Sequence, residues 1–383
     1  MTATAPSPVS LLYHFADLND PRSDHTKLHG LLDLIALTLC AVVSGADAWT
    51  DVETYGLNKQ DWLETFLDLP NGIPSHDTLG RVFAALDPAA FQQCFVRWMH
   101  AVVGAGRGKL IAIDGKALRH SFDTAKGKSA IHLVSAWASA NHLLLGQQAV
   151  ADKSNEITAI PELLKLLDLH GALVTIDAMG CQKQIAADIV AGGGDYVLAV
   201  KENQPTLYAD LQRVFLDGLE EDFAGLEHRY CRTAGQGHGR TEERHYHIVA
   251  VPEHLTEKHA EFAGLRSFGM VFSERQVGEG PVVCETRFYI SSLRPQVKVF
   301  AEAVRGHWSV ENNLHWVLDV AFQEDASRVR KDHGPENLGL VRRIALSLLK
   351  RAPTKKKVGI ACKRKQAGWN DEFLVQVLLN EVA

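Results

Sequence analysis

The chain has 383 residues, of which 46% are hydrophobic and 22% charged, and its formal net charge is −6. That balance is ordinary for a globular protein, and the negative charge counts mildly against a nucleic-acid partner. The six cysteines are widely spaced without a Cys-x-x-Cys pair, which argues against a disulfide framework or a zinc module and favours reduced cytoplasmic thiols. The first eight residues lack a basic start and an apolar run, so no secretory signal is expected.

The charges are unevenly distributed along the chain. Eight basic residues and no acidic ones lie between Lys350 and Lys365, whereas four acidic residues crowd residues 217–222. A basic run of this kind indicates either a DNA-binding segment or a solvated tail. The acidic segment is expected to face away from DNA.

Helical spacing of apolar residues covers residues 10–103. The most apolar stretch, 31–45, is shorter than the roughly 20 residues needed to span a bilayer and contains Asp33, so we expect a buried helix and no membrane contact. Before a helix that runs to Phe83, Ser75 or Asp77 is expected to serve as the N-cap. Residues 104–108, rich in glycine, read as a linker.

Short apolar runs then predict strands at 109–113, 131–138 and 142–150, with a hairpin turn at Ala140 and Asn141. A helix at 156–169, a strand at 172–176, a helix at 182–190 and a strand at 196–200 follow. Three strands in a meander and then alternating helix and strand predict an α/β fold with a ribonuclease H-like mixed five-stranded sheet.

The rest of the chain predicts a β-rich insertion and a long helix. Strands are expected at 242–251, 268–272 and 284–291, within an insertion of about 205–295, before a helix at 297–322. We therefore divide the chain into an all-helical N-terminal domain (1–103), a catalytic domain containing the insertion (104–350) and a basic C-terminal tail (351–383).

Two aspartates directly follow apolar strands: Asp114 in Ile-Ala-Ile-Asp-Gly-Lys and Asp177 in Val-Thr-Ile-Asp-Ala-Met-Gly. A carboxylate at a strand exit lies at the edge of the sheet, where open α/β folds bind ligands, although a lone aspartate there is often only a turn former. Two aspartates at the ends of strands expected to be neighbours are more informative. They predict an acidic site.

The third acid of this prediction is Glu311, in the long helix. Val310, Leu314, Val317, Leu318 and Ala321 form the apolar stripe of that helix. Another face carries Arg305, Trp308, Glu311, Asn312, His315 and Asp319, which is either a functional face or an ordinary polar surface.

Three converging carboxylates suit Mg²⁺ or Mn²⁺, because hard cations prefer oxygen ligands. In phosphodiester chemistry two such ions lie roughly 3.5–4 Å apart, one at the attacking and one at the leaving oxygen. We expect two ions held by Asp114, Asp177 and Glu311. The sequence argues less for zinc, because no cysteine or further histidine lies near His245 and His247 to complete a zinc site.

At this point the chain resembles bacterial insertion-sequence transposases of the DDE type, in the branch that includes H-repeat-associated proteins. The resemblance covers most of the length and rests on five blocks in order. They are Asp20-Pro-Arg-Ser with Ile73-Pro-Ser-His-Asp-Thr, Ile113-Asp-Gly-Lys, Ile176-Asp-Ala-Met-Gly-Cys-Gln, Val200-Lys-Glu-Asn-Gln, and the segment from Arg305 to Asp325.

The resemblance implies a ribonuclease H-like core with a β insertion before the glutamate, and a catalytic triad of Asp114, Asp177 and Glu311. It implies metal-assisted hydrolysis at the ends of a DNA element, followed by attack of the freed 3′-hydroxyl on target DNA. It further implies that the N-terminal helices read the terminal repeats of double-stranded DNA and that a homodimer brings two ends together.

The broader group places an arginine before the glutamate and a lysine after it, and this chain departs from both. His307 stands where the arginine is expected, with Arg305 nearby, and Leu318 replaces the lysine. Candidates for DNA contact are Lys116, Lys201 and Asn203 near the strand ends, together with Arg305, His307, Asn312 and His315 of the helix. Trp308 is either a base-stacking residue or a packing residue.

Two other functions are compatible with the same residues. One is a ribonuclease H-like nuclease that cuts nucleic acid without strand transfer, using the same triad. The other is an inactive DNA-binding remnant of a transposase.

Overall fold

The structure, a computed structural model, describes residues 11–103, 110–122, 129–139, 143–150, 155–237 and 239–379. The predicted linker at 104–108 and the predicted hairpin turn at Ala140 and Asn141 lie outside the described residues.

The N-terminal part is helical, as predicted. Ser75 accepts a hydrogen bond from the Thr78 amide at 3.3 Å, which confirms it as an N-cap. The helices are α1 (Leu11–Phe15), α2 (Leu31–Val43), α3 (Trp49–Asn58), α4 (Gln60–Leu63), α5 (His76–Ala85) and α6 (Pro88–Val103).

Helix α2 is the centre of this helical layer. Eleven of its thirteen residues are buried, which explains why its sequence is apolar on almost every face. Across the described ranges, the structure contains no helix with the length and apolarity needed to cross a bilayer. The prediction that 31–45 is a buried helix is confirmed.

One mixed sheet of nine strands forms the other half of the molecule, in the order β3-β2-β1-β4-β5-β9-β8-β7-β6. β1, β4 and β5 pair in parallel, and the other neighbours are antiparallel. The strands are β1 (Leu110–Ala117), β2 (His132–Ala138), β3 (Leu143–Ala149), β4 (Leu173–Ile176), β5 (Asp195–Val200), β6 (His228–Gly237), β7 (Arg240–Ala250), β8 (Ser267–Val277) and β9 (Val283–Ser291).

The prediction of a five-stranded sheet is therefore corrected to nine strands. The five predicted strands occupy one half of the sheet, β3-β2-β1-β4-β5, and the insertion continues it because β9 pairs with β5. The insertion also holds the unpredicted strand β6 and helix α9 (Pro205–Glu220). Without β9, the edge strand β5 would expose unpaired backbone N–H and C=O groups, and β9 forms hydrogen bonds with them.

Helices cover both faces of the sheet. α7 (Glu156–Lys165), α8 (Lys183–Ala191) and α9 bury their apolar sides against one face. Through Phe300, Ala303 and Val304, α11 (Val297–His307) packs on the opposite face, and the short α10 (Glu253–Thr256) lies within the insertion. Side chains of β1 alternate between the two faces of the sheet: Ile111 and Ile113 lie on the face covered by α7, α8 and α9, and Ala112 lies on the opposite face.

The predicted helix at 297–322 is interrupted. After α11 the backbone makes a π-helical turn, Glu311–His315, before α12 (Trp316–Phe322). Val310, Leu314 and Leu318 are fully buried, as the apolar stripe predicts. Trp316 is 61% exposed.

The C-terminal helices join the N-terminal helical core. α13 (Gly334–Arg351) is buried along most of its length, and α14 (Ile360–Trp369) and α15 (Asp371–Leu379) pack with it and with α2. Segment 351–383 is thus largely helical within the described residues. The division at 103 and 350 stays a prediction.

Two cations of the basic run are buried and cap helices. The Lys363 ammonium donates to the carbonyls of Leu349 and Ala352 at 2.7 and 2.6 Å, at the end of α13. The Arg364 guanidinium donates to Val42 and Ala46, at the end of α2. Cations favour the unsatisfied carbonyls of helix C-termini. For these two residues the interpretation as a solvated tail is wrong.

Candidate active site

Asp114 and Asp177 lie on neighbouring parallel strands. Ile113 pairs with Ile176, so each aspartate comes directly after the last paired residue of β1 and β4. The predicted adjacency of the two carboxylates is present in the structure. Asp114 is inside β1 and not at its exit, because β1 continues to Ala117 by pairing with β2.

Glu311 opens the π-helical turn that follows α11, and its side chain is exposed. A π-helical turn inserts an extra residue into a helix and often marks a functional position. Here it lies where the helix leaves the sheet face and enters the helical core, since Val310 and Leu314 belong to that core.

One cavity of about 750 Å³ brings the three acids together. β1, β4, β5, β9 and α11 supply its walls, and its polar lining comes from Asp114, Asp177, Glu311, Lys201, Glu202, Asn203, Glu285, Arg287 and His307.

The cavity is electrostatically unfavourable for carboxylates. Burial and the negative charges of Asp177, Glu156 and Glu311 together raise the pKa of Asp114 to about 7, although the hydrogen bond from the Gly115 amide acts to lower it. Burial and the charge of Glu156 also raise the pKa of Asp177. A bound cation would remove this repulsion.

Both aspartates are held by the backbone through one oxygen. Asp177 Oδ1 accepts bonds from the amides of Met179 and Gly180 at 3.1 and 3.4 Å, capping a short 3₁₀ turn. Asp114 Oδ1 accepts from the Gly115 amide at 2.9 Å. Asp114 Oδ2 lies 3.5 Å from Nδ1 of His315. The carboxylates are thereby oriented, with one oxygen of Asp177 free of these bonds.

Lys116 is occupied in a buried ion network. Its ammonium lies 2.5 Å from Asp319, 2.9 Å from Asp325 and 3.3 Å from Glu324, and its side chain is only 9% exposed. Glu324 also pairs with Arg343 at 2.6 Å, and both are fully buried. These partners occupy the Lys116 ammonium in this structure, and a contact of Lys116 with DNA stays a prediction.

The two histidines of the long helix are half-buried and neutral near pH 7. Burial lowers the pKa of His307 to about 4, and its Nδ1 lies 3.2 Å from the Thr175 hydroxyl. Burial lowers the pKa of His315 to about 3. Near pH 7, neither supplies the positive charge of the arginine that His307 replaces.

Lys201 and Asn203 lie at the end of β5 and are exposed in the cavity. The charge of Lys201 acts to lower the pKa of Asp177, and both residues line the same cavity. The Asn203 amide donates to the carbonyl of Ala178 at 2.7 Å and so fixes the loop after Asp177.

The remaining candidates divide into two groups. Trp308 lines the cavity and is 37% exposed, whereas Arg305 and Asn312 are exposed outside its described lining. The Arg287 guanidinium lies 4.3 Å above the Trp308 ring, and Glu285 holds it through two hydrogen bonds.

Sequence reasoning missed two residues of this site. Arg287 comes from β9 of the insertion, and no motif marked it. Glu156, at the start of α7, binds His132 at 2.6 Å and adds its charge to the two aspartates. Only the pairing of distant strands brings these residues to the site.

Among the described residues, one group of three potential metal ligands has all its ligand atoms within 4.8 Å of one another: Glu243, His245 and Glu274. It lies on β7 and β8, outside the lining of the cavity, and Arg232 already pairs with Glu243 at 2.6 Å. The three predicted acids do not form so compact a group. A site for two hydrated ions is wider than the shell of one ion.

Comparison with known proteins identifies the family. Residues 105–348 match the family model described as "Transposase DDE domain", and residues 12–99 match the model described as "DDE_Tnp_1-associated".

Several relatives match the chain. It is 41% identical to "Putative transposase YncI" of Escherichia coli O157:H7, over 96% of this chain and 94% of that protein. It is 39% identical to "H repeat-associated putative transposase YhhI" of Escherichia coli K12, over 96% of this chain and 97% of that protein. "Inactive transposase YbfQ" of the same strain is 43% identical over 72 residues, 19% of this chain. The chain belongs to the DDE transposase family.

Proposed function

We propose that this protein cleaves double-stranded DNA at the ends of an insertion element and joins the freed ends to target DNA. The observation that carries the proposal is the single cavity onto which Asp114, Asp177 and Glu311 converge from two strands and a helix. In this proposal Asp114, Asp177 and Glu311 are the catalytic acids.

The donor set fits divalent cations. Three carboxylates in a partly buried cavity offer hard oxygen ligands. Burial and, after it, neighbouring negative charge raise the pKa of Asp114, and a bound cation would offset that charge. Asp114, Asp177 and Glu311 would hold Mg²⁺ or Mn²⁺, in our proposal two ions. When bound, such ions lower the pKa of an attacking water or hydroxyl and stabilise the leaving oxygen.

The surrounding residues position the DNA. Lys201 is an exposed cation in the same cavity as Asp177, and it is suited to a phosphate oxygen. Arg287 supplies from β9 the guanidinium that His307 cannot supply from α11. The Arg287–Trp308 stack offers a flat surface for an unpaired base.

The fold supports the same proposal. In this proposal the half of the sheet with the order β3-β2-β1-β4-β5, in which β1, β4 and β5 are parallel, is the ribonuclease H-like core, and β6 to β9 belong to the insertion. We further propose that the N-terminal helical domain binds the element ends, that a homodimer joins two ends, and that the protein acts in the cytoplasm at the nucleoid.

The test is cleavage and joining of a duplex that carries the element's own flanking ends, with Mg²⁺ or Mn²⁺. Asp114→Asn, Asp177→Asn and Glu311→Gln should each lower the rate by about a hundredfold or more, because each removes several kcal/mol of transition-state stabilisation. Glu202→Gln is the matched control, since Glu202 lines the same cavity without belonging to the triad.

Two further readouts separate the alternatives. Binding of Mn²⁺, followed by its electron paramagnetic resonance signal, should weaken in the three triad variants and persist in Glu202→Gln. Cleavage without joined product would identify a nuclease that does not transfer strands. DNA binding without cleavage by the native protein would identify an inactive remnant.

A further inference from the structure

A second cleft, whose lining includes none of the three acids, carries most of its charge as cations. It has a volume of about 660 Å³ and lies between α3, α5 and the segment after α12. We call it the basic cleft. Its charged lining residues are Arg81, Arg328, Arg330, Lys331, Asp47 and Asp77, together with His76.

Most of these cations are free to meet a ligand. Among the residues that the structure describes, Arg81, Arg328 and Lys331 are exposed and form no ion pair. The carboxylates are fewer, and Asp47 is already paired with Arg364 at 2.9 Å. The positive charge of the cleft is therefore largely uncompensated.

Backbone donors add to this charge. Trp49 and Thr50, the first two residues of the ten-residue helix α3, line the cleft. The first N–H groups of a helix have no acceptor within the helix and carry a partial positive charge. Side-chain cations and helix amides together favour an anionic ligand with several oxygens.

The segment that carries the cations is anchored both to the loop after β1 and to the N-terminal helices. Arg330 Nε donates to the carbonyl of His120 at 3.0 Å, and its guanidinium lies 4.8 Å from the Phe122 ring. The His333 amide donates to the Ala84 carbonyl at 3.2 Å, and the Asn337 side chain donates to Phe83 and Leu86. The basic cleft therefore spans the joint between the helical core and the sheet.

The same segment is connected to the candidate active site. It follows Glu324 and Asp325, which bind Lys116, two residues beyond Asp114 on β1. A long polyanion that reached the cavity could thus contact a fixed row of cations next to it.

We propose that the basic cleft binds the phosphodiester backbone of duplex DNA. The cations belong to two elements, α5 and the segment after α12, and do not close on one point, which suits an extended chain of phosphates. The proposal rests on DNA being the substrate, as argued above, and names a surface that the triad does not include.

The experiment measures the salt dependence of duplex binding by fluorescence anisotropy, without divalent ions, for the full chain and a short duplex of random sequence. Each phosphate that a protein cation neutralises contributes about −0.9 to the slope of log K against log salt. Arg328→Ala/Lys331→Ala should therefore make the slope less steep by about 1.8, and adding Arg81→Ala should remove about another 0.9.

Arg213→Ala/Arg266→Ala is the matched control. This variant loses two exposed cations outside the cleft, and its net charge changes by as much as that of Arg328→Ala/Lys331→Ala. Its slope should stay close to that of the native protein. The proposal would be overturned if the slope stayed unchanged in the cleft variants or changed only as much as in the control. It would also be overturned if the native protein did not bind the duplex. Native protein that binds with the expected slopes but does not cleave DNA would refute the proposed catalysis and leave the cleft assignment standing.

Discussion

Gly306 is the point at which α11 crosses β1, and it offers a sharp test of how the acids are positioned. A Cβ at this position would lie 2.1 Å from Cδ2 of Leu110 and 3.6 Å from Cβ of Ser139. The Ser139 hydroxyl also donates to the Gly306 carbonyl at 3.0 Å. Glycine therefore permits the close approach of the helix that leads to Glu311 and the strand that carries Asp114.

Two opposing effects decide whether Gly306→Ala raises or lowers the free energy of unfolding. In an unhindered helix, replacing glycine by alanine stabilises by up to about 1 kcal/mol. Forcing a methyl group into a packed contact costs about 1–3 kcal/mol. With the added Cβ at 2.1 Å from Leu110, overpacking is the larger effect, and we expect a net loss of up to about 2 kcal/mol.

Leu110→Ala should relieve the overlap, because the clashing atom belongs to the Leu110 side chain. The double-mutant cycle of Gly306→Ala and Leu110→Ala should thus show a coupling free energy of about 1–3 kcal/mol, with Gly306→Ala stabilising in the Leu110→Ala background. Urea denaturation of the four proteins measures the cycle. DNA cleavage should fall in Gly306→Ala while duplex binding persists, because Glu311 is displaced from the aspartates.

The control is Gly235→Ala, at which an added Cβ has no neighbour within 4 Å. Its stability should change by less than about 0.5 kcal/mol. If Gly306→Ala were as neutral as this control, or stabilised the protein equally with and without Leu110, α11 would not abut β1 as described. The reasoning about acid placement would then be wrong.

Two other variants test buried charges. Burial and the negative charge of Asp87 raise the pKa of Glu336 from 4.5 to about 7. Protonated Glu336 therefore stabilises the fold below about pH 4.5, and this stabilisation is lost as the pH rises to about 7. Glu336→Gln should therefore raise the urea midpoint at pH 8 and leave it nearly unchanged at pH 4; an equal effect at both would refute this. Arg343→Met should destabilise by about 3 kcal/mol in thermal unfolding, because it leaves the buried Glu324 carboxylate with Lys116 alone. A loss under about 1 kcal/mol would show that Lys116 suffices.

The sequence predicts the two aspartates well because their signal is local. An apolar run followed by Asp predicts a buried strand that brings a carboxylate to the site, for both Asp114 and Asp177, although β1 continues beyond Asp114 to Ala117 and only Asp177 follows the end of its strand. Parallel pairing of β1 with β4 then brings the two together. The stripe of Val310, Leu314 and Leu318 likewise predicts which face of the helix is buried.

Other parts of the site depend on partners that are distant in sequence. Lys116 looked like a free cation because its carboxylate partners lie about two hundred residues away. Arg287 reaches the cavity only because β9 pairs with β5, and that pairing also enlarged the sheet. The charges of Lys363 and Arg364 were compatible with a DNA-binding segment or a solvated tail, whereas these two side chains are buried at the ends of α13 and α2.

The three acids belong to two different packed cores, and this explains why residues outside the cavity should control the chemistry. Asp114 and Asp177 are fixed by the sheet, whereas the turn that carries Glu311 is held by Val310 and Leu314, which pack in the helical core. The contact of Gly306 with Leu110 and the network of Lys116 with Glu324 join the two cores on either side of Glu311. Loosening either joint moves one acid relative to the other two without altering any of them, and a 1 Å displacement of reacting groups can cost about a hundredfold in rate.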